Sequence, residues 1–243
     1  DNTKLIDLEG KSLLPGFVDA HGHCFNVGVQ AAAANLLCPP DHNVKDIPGI
    51  VAELKKWGEA GFAAKYKIFL GMGYDDSQLT EKRHPTRLEL DEVSKDLPVL
   101  AIHQSNHLAS MNTKALEIAG ITADTKNPMG GVIRREKDGK TPDGVLEETA
   151  WMAAALKVMP KMGETEFDAI ALSGMQVYAA QGFTFAEEGR SMKTIDEAWM
   201  RLAERKKMLI DVVSYPDMTF ADTPFGLDTP WFSKTLKNGY RIA

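Results

Sequence analysis

Cysteine is scarce in this chain. Cys24 and Cys38 are the only two in 243 residues, so the fold is not a disulfide scaffold. Positive charge is not in excess either. Lys and Arg number 28 against 34 Asp and Glu, a net charge of −6, which argues against nucleic-acid binding. The short run Arg205-Lys206-Lys207 sits at an expected helix end, where cations are favoured in any case. No apolar stretch approaches the roughly 20 residues that cross a bilayer, and there are no internal repeats or low-complexity segments. A starting Met is also missing: the chain opens Asp1-Asn2-Thr3-Lys4. A cytoplasmic location is expected, with a targeting segment ahead of residue 1 left open. What is present, 44% hydrophobic and 26% charged residues, is the composition of a globular protein with one large domain and a sizeable core.

The most informative stretch is Leu13-Leu14-Pro15-Gly16-Phe17-Val18-Asp19-Ala20-His21-Gly22-His23. In an extended strand, residues i and i+2 point to one side. His21 and His23 can then offer two imidazole nitrogens to one point, as two ligands of a catalytic zinc do. Gly22, without a Cβ, lets the backbone lie close to whatever sits there. Cys24 should point away from the histidines and be a small buried residue.

Four further stretches accompany this motif: Gly71-Met72-Gly73-Tyr74-Asp75; Pro85-Thr86-Arg87-Leu88-Glu89-Leu90-Asp91; His103-Gln104-Ser105-Asn106-His107 with Asn112-Thr113-Lys114-Ala115-Leu116; and Gly144-Val145-Leu146-Glu147-Glu148-Thr149-Ala150. In this order the chain resembles the metal-dependent amidohydrolase superfamily, in its YtcJ-like, formamide-deformylase-like branch, over nearly its whole length. The resemblance implies an α/β fold: a TIM-like (β/α)8 barrel only partly covered by this chain, with a long insertion after the first barrel strand and the edge of a small β-sandwich domain. Three parts are expected. Residues 1–25 carry the end of the β-domain, the first barrel strand and the metal motif. Residues 26–160 form the insertion, a lid or substrate wall. Residues 161–243 hold βα units of the barrel. A bridging lysine, two more histidine ligands and a catalytic aspartate are expected beyond Ala243, so the chain is read as a fragment, inactive alone.

Local patterns fill in the elements. A helix is expected after Asp46 and Pro48, strands over Tyr66–Leu70 and Leu97–His103, and a hairpin around Asp138-Gly139. Thr165 is expected to cap a helix that ends at Gly182, and Thr194 with Glu197 a second one. Strands are expected at Phe183–Ala186 and Met208–Tyr215, and Leu5–Lys11 reads as a strand and turn.

The expected function is hydrolysis of amide- or formamide-type C–N bonds of a small molecule through a metal-activated water, with Zn2+ or another divalent metal, one or two ions. The alternatives are a metal-dependent esterase or lactonase, or a barrel-derived binding or scaffold protein. His21 and His23 are the expected metal ligands. His107, Glu148, Tyr74 and His103 are expected on the substrate side. His107 takes the family's histidine position, with Asn106 replacing the usual Gly and able to adopt a positive φ. Asn112 is most simply an N-cap. Glu147 is expected to point away from Glu148. Glu187 and Glu188, at the end of a strand where barrel sites gather, read first as a solvated loop pair, with one of them facing the pocket as the alternative; His42 and His84 read as surface or loop residues. The partners expected are a small-molecule substrate, no nucleic acid and no membrane; a homodimer is compatible with all of this.

Overall fold

A computed structural model describes residues 3–218 and 229–243. In chain order, β1 (Phe17–Val18), α1 (Cys24–Ala32) and β2 (Ala34–Asn35) lead into α2 (Ile47–Glu59), α3 (Phe62–Tyr66) and β3 (Phe69–Tyr74). Next come α4 (Arg87–Asp91), β4 (Val99–His103), β5 (Leu108–Met111), α5 (Thr113–Ala119), β6 (Gly131–Arg135) and β7 (Pro142–Glu148). The chain closes with α6 (Thr149–Val158), α7 (Glu164–Ala180), β8 (Phe183–Ser191), α8 (Lys193–Glu204), β9 (Asp211–Pro216) and β10 (Tyr240–Ile242). It divides into two compact units, one from the chain ends up to Val29 and from Gly163, the other spanning Gln30–Met162.

The first unit holds a four-stranded sheet in the order β1-β8-β9-β10, parallel throughout. Its core gathers Phe25, Met175, Ala186, Trp199, Val212, Trp231 and Tyr240. Along β8 the period of two sends Ala186 and Glu188 to the buried side and leaves Glu187 partly exposed. Helices α1 and α7 cross with backbones nearly touching: a Cβ on Gly28 would lie 2.0 Å from the Ile170 carbonyl oxygen, and one on Gly174 2.1 Å from that of Cys24. This crossing fixes the start of α1, one residue after His23.

The second unit holds a six-stranded sheet, β2-β3-β4-β5-β7-β6. Its first three strands are parallel and the rest antiparallel. Both faces of β4 are covered. Leu100 and Ile102 enter a core with Met111, Leu146 and Trp151, while Val99 and Ala101 enter another with Leu36, Ile50, Leu54 and Leu90. A strand buried on both faces reads as a continuous apolar run, which is why Leu97–His103 does not alternate.

What the structure establishes is a mixed α/β fold with a four-stranded parallel sheet. Several finer expectations need correction. No β-sandwich edge is present among the described residues. Residues 5–8 carry no strand, only the turn closed by the Lys11 N–H on the Leu8 carbonyl at 2.9 Å, because a strand needs a partner for its backbone. Tyr66 closes a helix instead of opening a strand. Lys67, at φ 58°, breaks that helix and β3 starts at Phe69. Thr165 and Thr194 lie inside their helices, whose N-caps are Gly163 and Met192.

Candidate functional site

Strand β1 ends at Val18, so His21 and His23 lie beyond it in a bend. Strand alternation is therefore not what brings them together. Asp19 pins the bend: its Oδ1 accepts the His21 N–H at 3.2 Å and its Oδ2 the Tyr178 hydroxyl at 2.7 Å. Gly22 is required for this reason, since a Cβ there would meet Asp19 Oδ2 at 2.0 Å and the Tyr178 oxygen at 2.5 Å. On the other side, the Gly189 N–H donates to the Gly22 carbonyl at 2.8 Å, and His23 forms an antiparallel bridge with Glu188. The two rings end 5.7 Å apart, edge to face.

Strand β8 lines this pair with carboxylates. His21 Nδ1 is 4.0 Å from Glu187 Oε2, and His23 Nδ1 is 3.8 Å from Glu188 Oε1. The pair Glu187-Glu188 is thus no solvated loop: Glu188 is 2% exposed and accepts the Phe25 N–H at 2.6 Å. Glu188 raises the pKa of His23 above its usual 6.5, while burial pushes the carboxyl of Glu188 up. The pair therefore holds a proton more firmly than either group alone. Two imidazoles, each with a carboxylate oxygen facing Nδ1 at 4.0 or 3.8 Å, are a donor pair of the kind that zinc-type ions take. Cys24 is fully buried, and burial pushes its thiol up, so it stays a protonated packing residue.

The second unit contains a separate polar cluster. Asp75, Asp76 and His103 place one ligand atom each within 4.8 Å of one another, the only such metal-capable group of three or more among the described residues. Their own hydrogen bonds already occupy much of it. Asp75 Oδ1 accepts from the Ser77 N–H and hydroxyl at 2.9 and 2.7 Å, and Oδ2 from the Gln78 and Gln104 amides at 3.0 and 3.1 Å. Burial opposes ionisation of Asp75, but the Ser77 and Gln78 donors outweigh it and hold the carboxyl below its usual 3.8. The Ser105 N–H donates to His103 Nδ1 at 3.1 Å. That bond leaves the ring proton on Nε2, which faces Asp76 Oδ1 at 3.3 Å.

The expected substrate-side residues fall into two classes. His107 and Glu148 come together: His107 Nδ1 lies 3.1 and 3.0 Å from the two Glu148 oxygens, and both side chains are exposed. Asn106 adopts φ 61°, the left-handed turn residue the sequence called for. Glu148 holds φ 51° and ψ −123° at the junction of β7 and α6, a costly conformation for a residue with a Cβ. Glu147 pairs instead with Arg134. Tyr74 and His103 are buried. Tyr74 has no exposed surface to offer a ligand, a correction to its expected place on a substrate wall. Its hydroxyl lies 3.1 Å from His84 Nδ1 and 3.3 Å from Ser110 Oγ. His84 is likewise buried and not a surface residue; Asp76, Tyr74 and His103 surround it. The one sequence signal for its burial was its place just before Pro85 and a capped helix.

A sequence profile described as the amidohydrolase family matches residues 4–240. N-substituted formamide deformylase from Arthrobacter pascens is 32% identical over 149 residues, covering 61% of this chain and 26% of that protein. The putative amidohydrolase YtcJ of Bacillus subtilis is 28% identical over 186 residues, covering 75% of this chain and 33% of that protein. The chain spans about a quarter to a third of the length of these curated relatives. The crystal structure of an uncharacterized metal-dependent hydrolase from Pyrococcus horikoshii OT3 superposes with a TM-score of 0.62 at 21% identity, over 94% of this chain and 41% of that one.

Proposed function

The chain belongs to the amidohydrolase family, and from that premise we propose that it carries part of the active centre of a metal-dependent hydrolase that cleaves amide- or formamide-type C–N bonds of a small molecule, on a partly covered (β/α)8 barrel. The observation that supports this reading most is the convergence of His21 and His23 against the carboxylates of β8. The amide preference leans on the similarity to N-substituted formamide deformylase. When bound, a divalent ion of the zinc type polarises a carbonyl and acidifies water beside it.

The chain's own residues have distinct parts in this reading. His21 and His23 hold the ion, and a complete site takes at least one further protein ligand. His107, held at Nδ1 by Glu148, has Nε2 for a hydrogen bond to substrate. Its exposure suits that role, and the strained backbone of Glu148 is the kind of feature found where a side chain must be aimed. His103 reaches the same turn through Ser105, whose hydroxyl lies 2.9 Å from His103 Nδ1 and accepts the His107 N–H at 3.2 Å. The Asp75–Asp76–His103 group is assigned to hydrogen bonding, because each oxygen of Asp75 already takes two donors.

The test separates ligands from substrate contacts. Substituting His21 and His23 by Ala lowers the metal content measured by elemental analysis. His107→Ala leaves metal content intact while reducing turnover or substrate affinity of the enzyme. Unchanged metal stoichiometry in the double histidine variant would remove the ligand assignment.

A further inference from the structure

A neutral imidazole has one lone pair to give a metal, and the partner of its other nitrogen decides which atom carries it. For His23 the facing group is Glu188. Its Oε1 is 3.8 Å from Nδ1, and its Oε2 is held by the Phe25 N–H at 2.6 Å. That N–H belongs to the first turn of α1, where donors lack partners within the helix. Glu188 is therefore anchored from behind and 2% exposed. Glu187 is placed differently: its Oε1 accepts the Tyr215 hydroxyl at 3.1 Å, and its side chain is partly exposed.

The next residue shapes the same space. A Cβ on Gly189 would lie 3.3 Å from His21 Cε1, 3.4 Å from His23 Cε1 and 2.9 Å from the Gly22 carbonyl oxygen. Both rings thus converge over the one strand position that has no side chain. We propose that Glu188 is a positioning residue of the metal centre, keeping the proton of His23 on Nδ1 so that Nε2 is free for a divalent ion, while Gly189 keeps open the space in which the two imidazoles meet. This rests on the reading of His21 and His23 as ligands.

Glu188→Gln tests it with the chain as it stands. Gln keeps an oxygen for the Phe25 N–H, which turns its NH2 towards His23 Nδ1 and favours the Nε2–H tautomer. Zn2+ affinity is read by competition with a chromophoric chelator, and the His23 tautomer by 15N NMR of the metal-free chain. The expected results are an Nδ1–H tautomer in the wild type, an Nε2–H tautomer in the variant, and a loss of roughly 10–100-fold in Zn2+ affinity with little change in Tm. Gly189→Ala should weaken binding as well, by displacing both rings. Wild-type affinity in Glu188→Gln, or an Nε2–H tautomer already in the wild type, overturns the proposal. So does a loss as complete as that of His23→Ala, which would make Glu188 a ligand. If His21→Ala and His23→Ala bind Zn2+ as the wild type does, the metal reading itself fails, whatever Glu188→Gln does.

Discussion

His84 shows how a single buried imidazole responds to pH. Burial lowers its pKa from the usual 6.5, with Arg134 and His103 acting in the same direction against Asp76 and Glu147. The neutral form is the one the fold accepts. Its contribution to stability is present above about pH 6.5 and is lost as pH falls through that value towards the depressed one. We expect His84→Gln to be less stable than the wild type at pH 8 and the gap to close towards pH 5, measured as Tm against pH. A gap that stays constant would sink the idea. His23 titrates with the opposite sign, since its pKa is raised, so the comparison must be made between variant and wild type. Neither sign was legible in the sequence. His84 ends a charged stretch, Glu81-Lys82-Arg83-His84; its place before Pro85 was the one local hint of burial, and its partners, Tyr74 and Asp76, meet it only in the fold.

At the scale of elements, Asn112 joins three segments. Its Oδ1 accepts the Ala115 N–H at 2.9 Å and the Val99 N–H at 3.0 Å, and its Nδ2 donates to the Ser94 and Leu97 carbonyls at 2.7 and 3.0 Å. It thereby caps α5, starts β4 and holds the connection before it. Asn112→Ala would leave four backbone groups without this partner in a fully buried place. The expected cost is about 2–4 kcal/mol, read from urea denaturation; a loss below about 0.5 kcal/mol would be that of an ordinary surface change. The capping half of this role was legible, because an Asn directly ahead of a helical run is a local signal. The same logic failed at Thr165 and Thr194. There the Glu166 carboxylate reaches back to the Gly163 N–H at 3.0 Å, and β8 runs on to Ser191, so that α8 begins at Lys193.

For the whole molecule, the two units supply two places where a divalent ion could bind, and one experiment separates them. Hydrogen exchange read by mass spectrometry with and without Zn2+ should show added protection in peptides spanning 17–25 and 183–191. Ligand binding stabilises what it contacts. Protection confined to 69–76 and 99–105 would move the metal to the Asp75–Asp76–His103 group. No helix among the described residues is long and apolar enough to cross a membrane, in line with the absence of long apolar runs.

The sequence by itself determined what depends on near neighbours. The His-Gly-His spacing as a motif, the left-handed turn at Asn106, the N-caps at Asp46 and Asn112 and the hairpin at Asp138-Gly139 are legible within a few residues, where spacing and backbone preference decide. It also carried the family, because the motifs keep their order along the chain. Only the tertiary structure decided which carboxylate backs His23, why Gly22 and Gly189 have no side chain, that His107 meets Glu148, and that Tyr74 and His84 are interior. Each of these rests on groups brought together by packing. Glu188 and the Phe25 N–H it accepts are 163 positions apart, a distance at which no local pattern constrains the pairing and only the crossing of α1 with α7 and the register of β8 can.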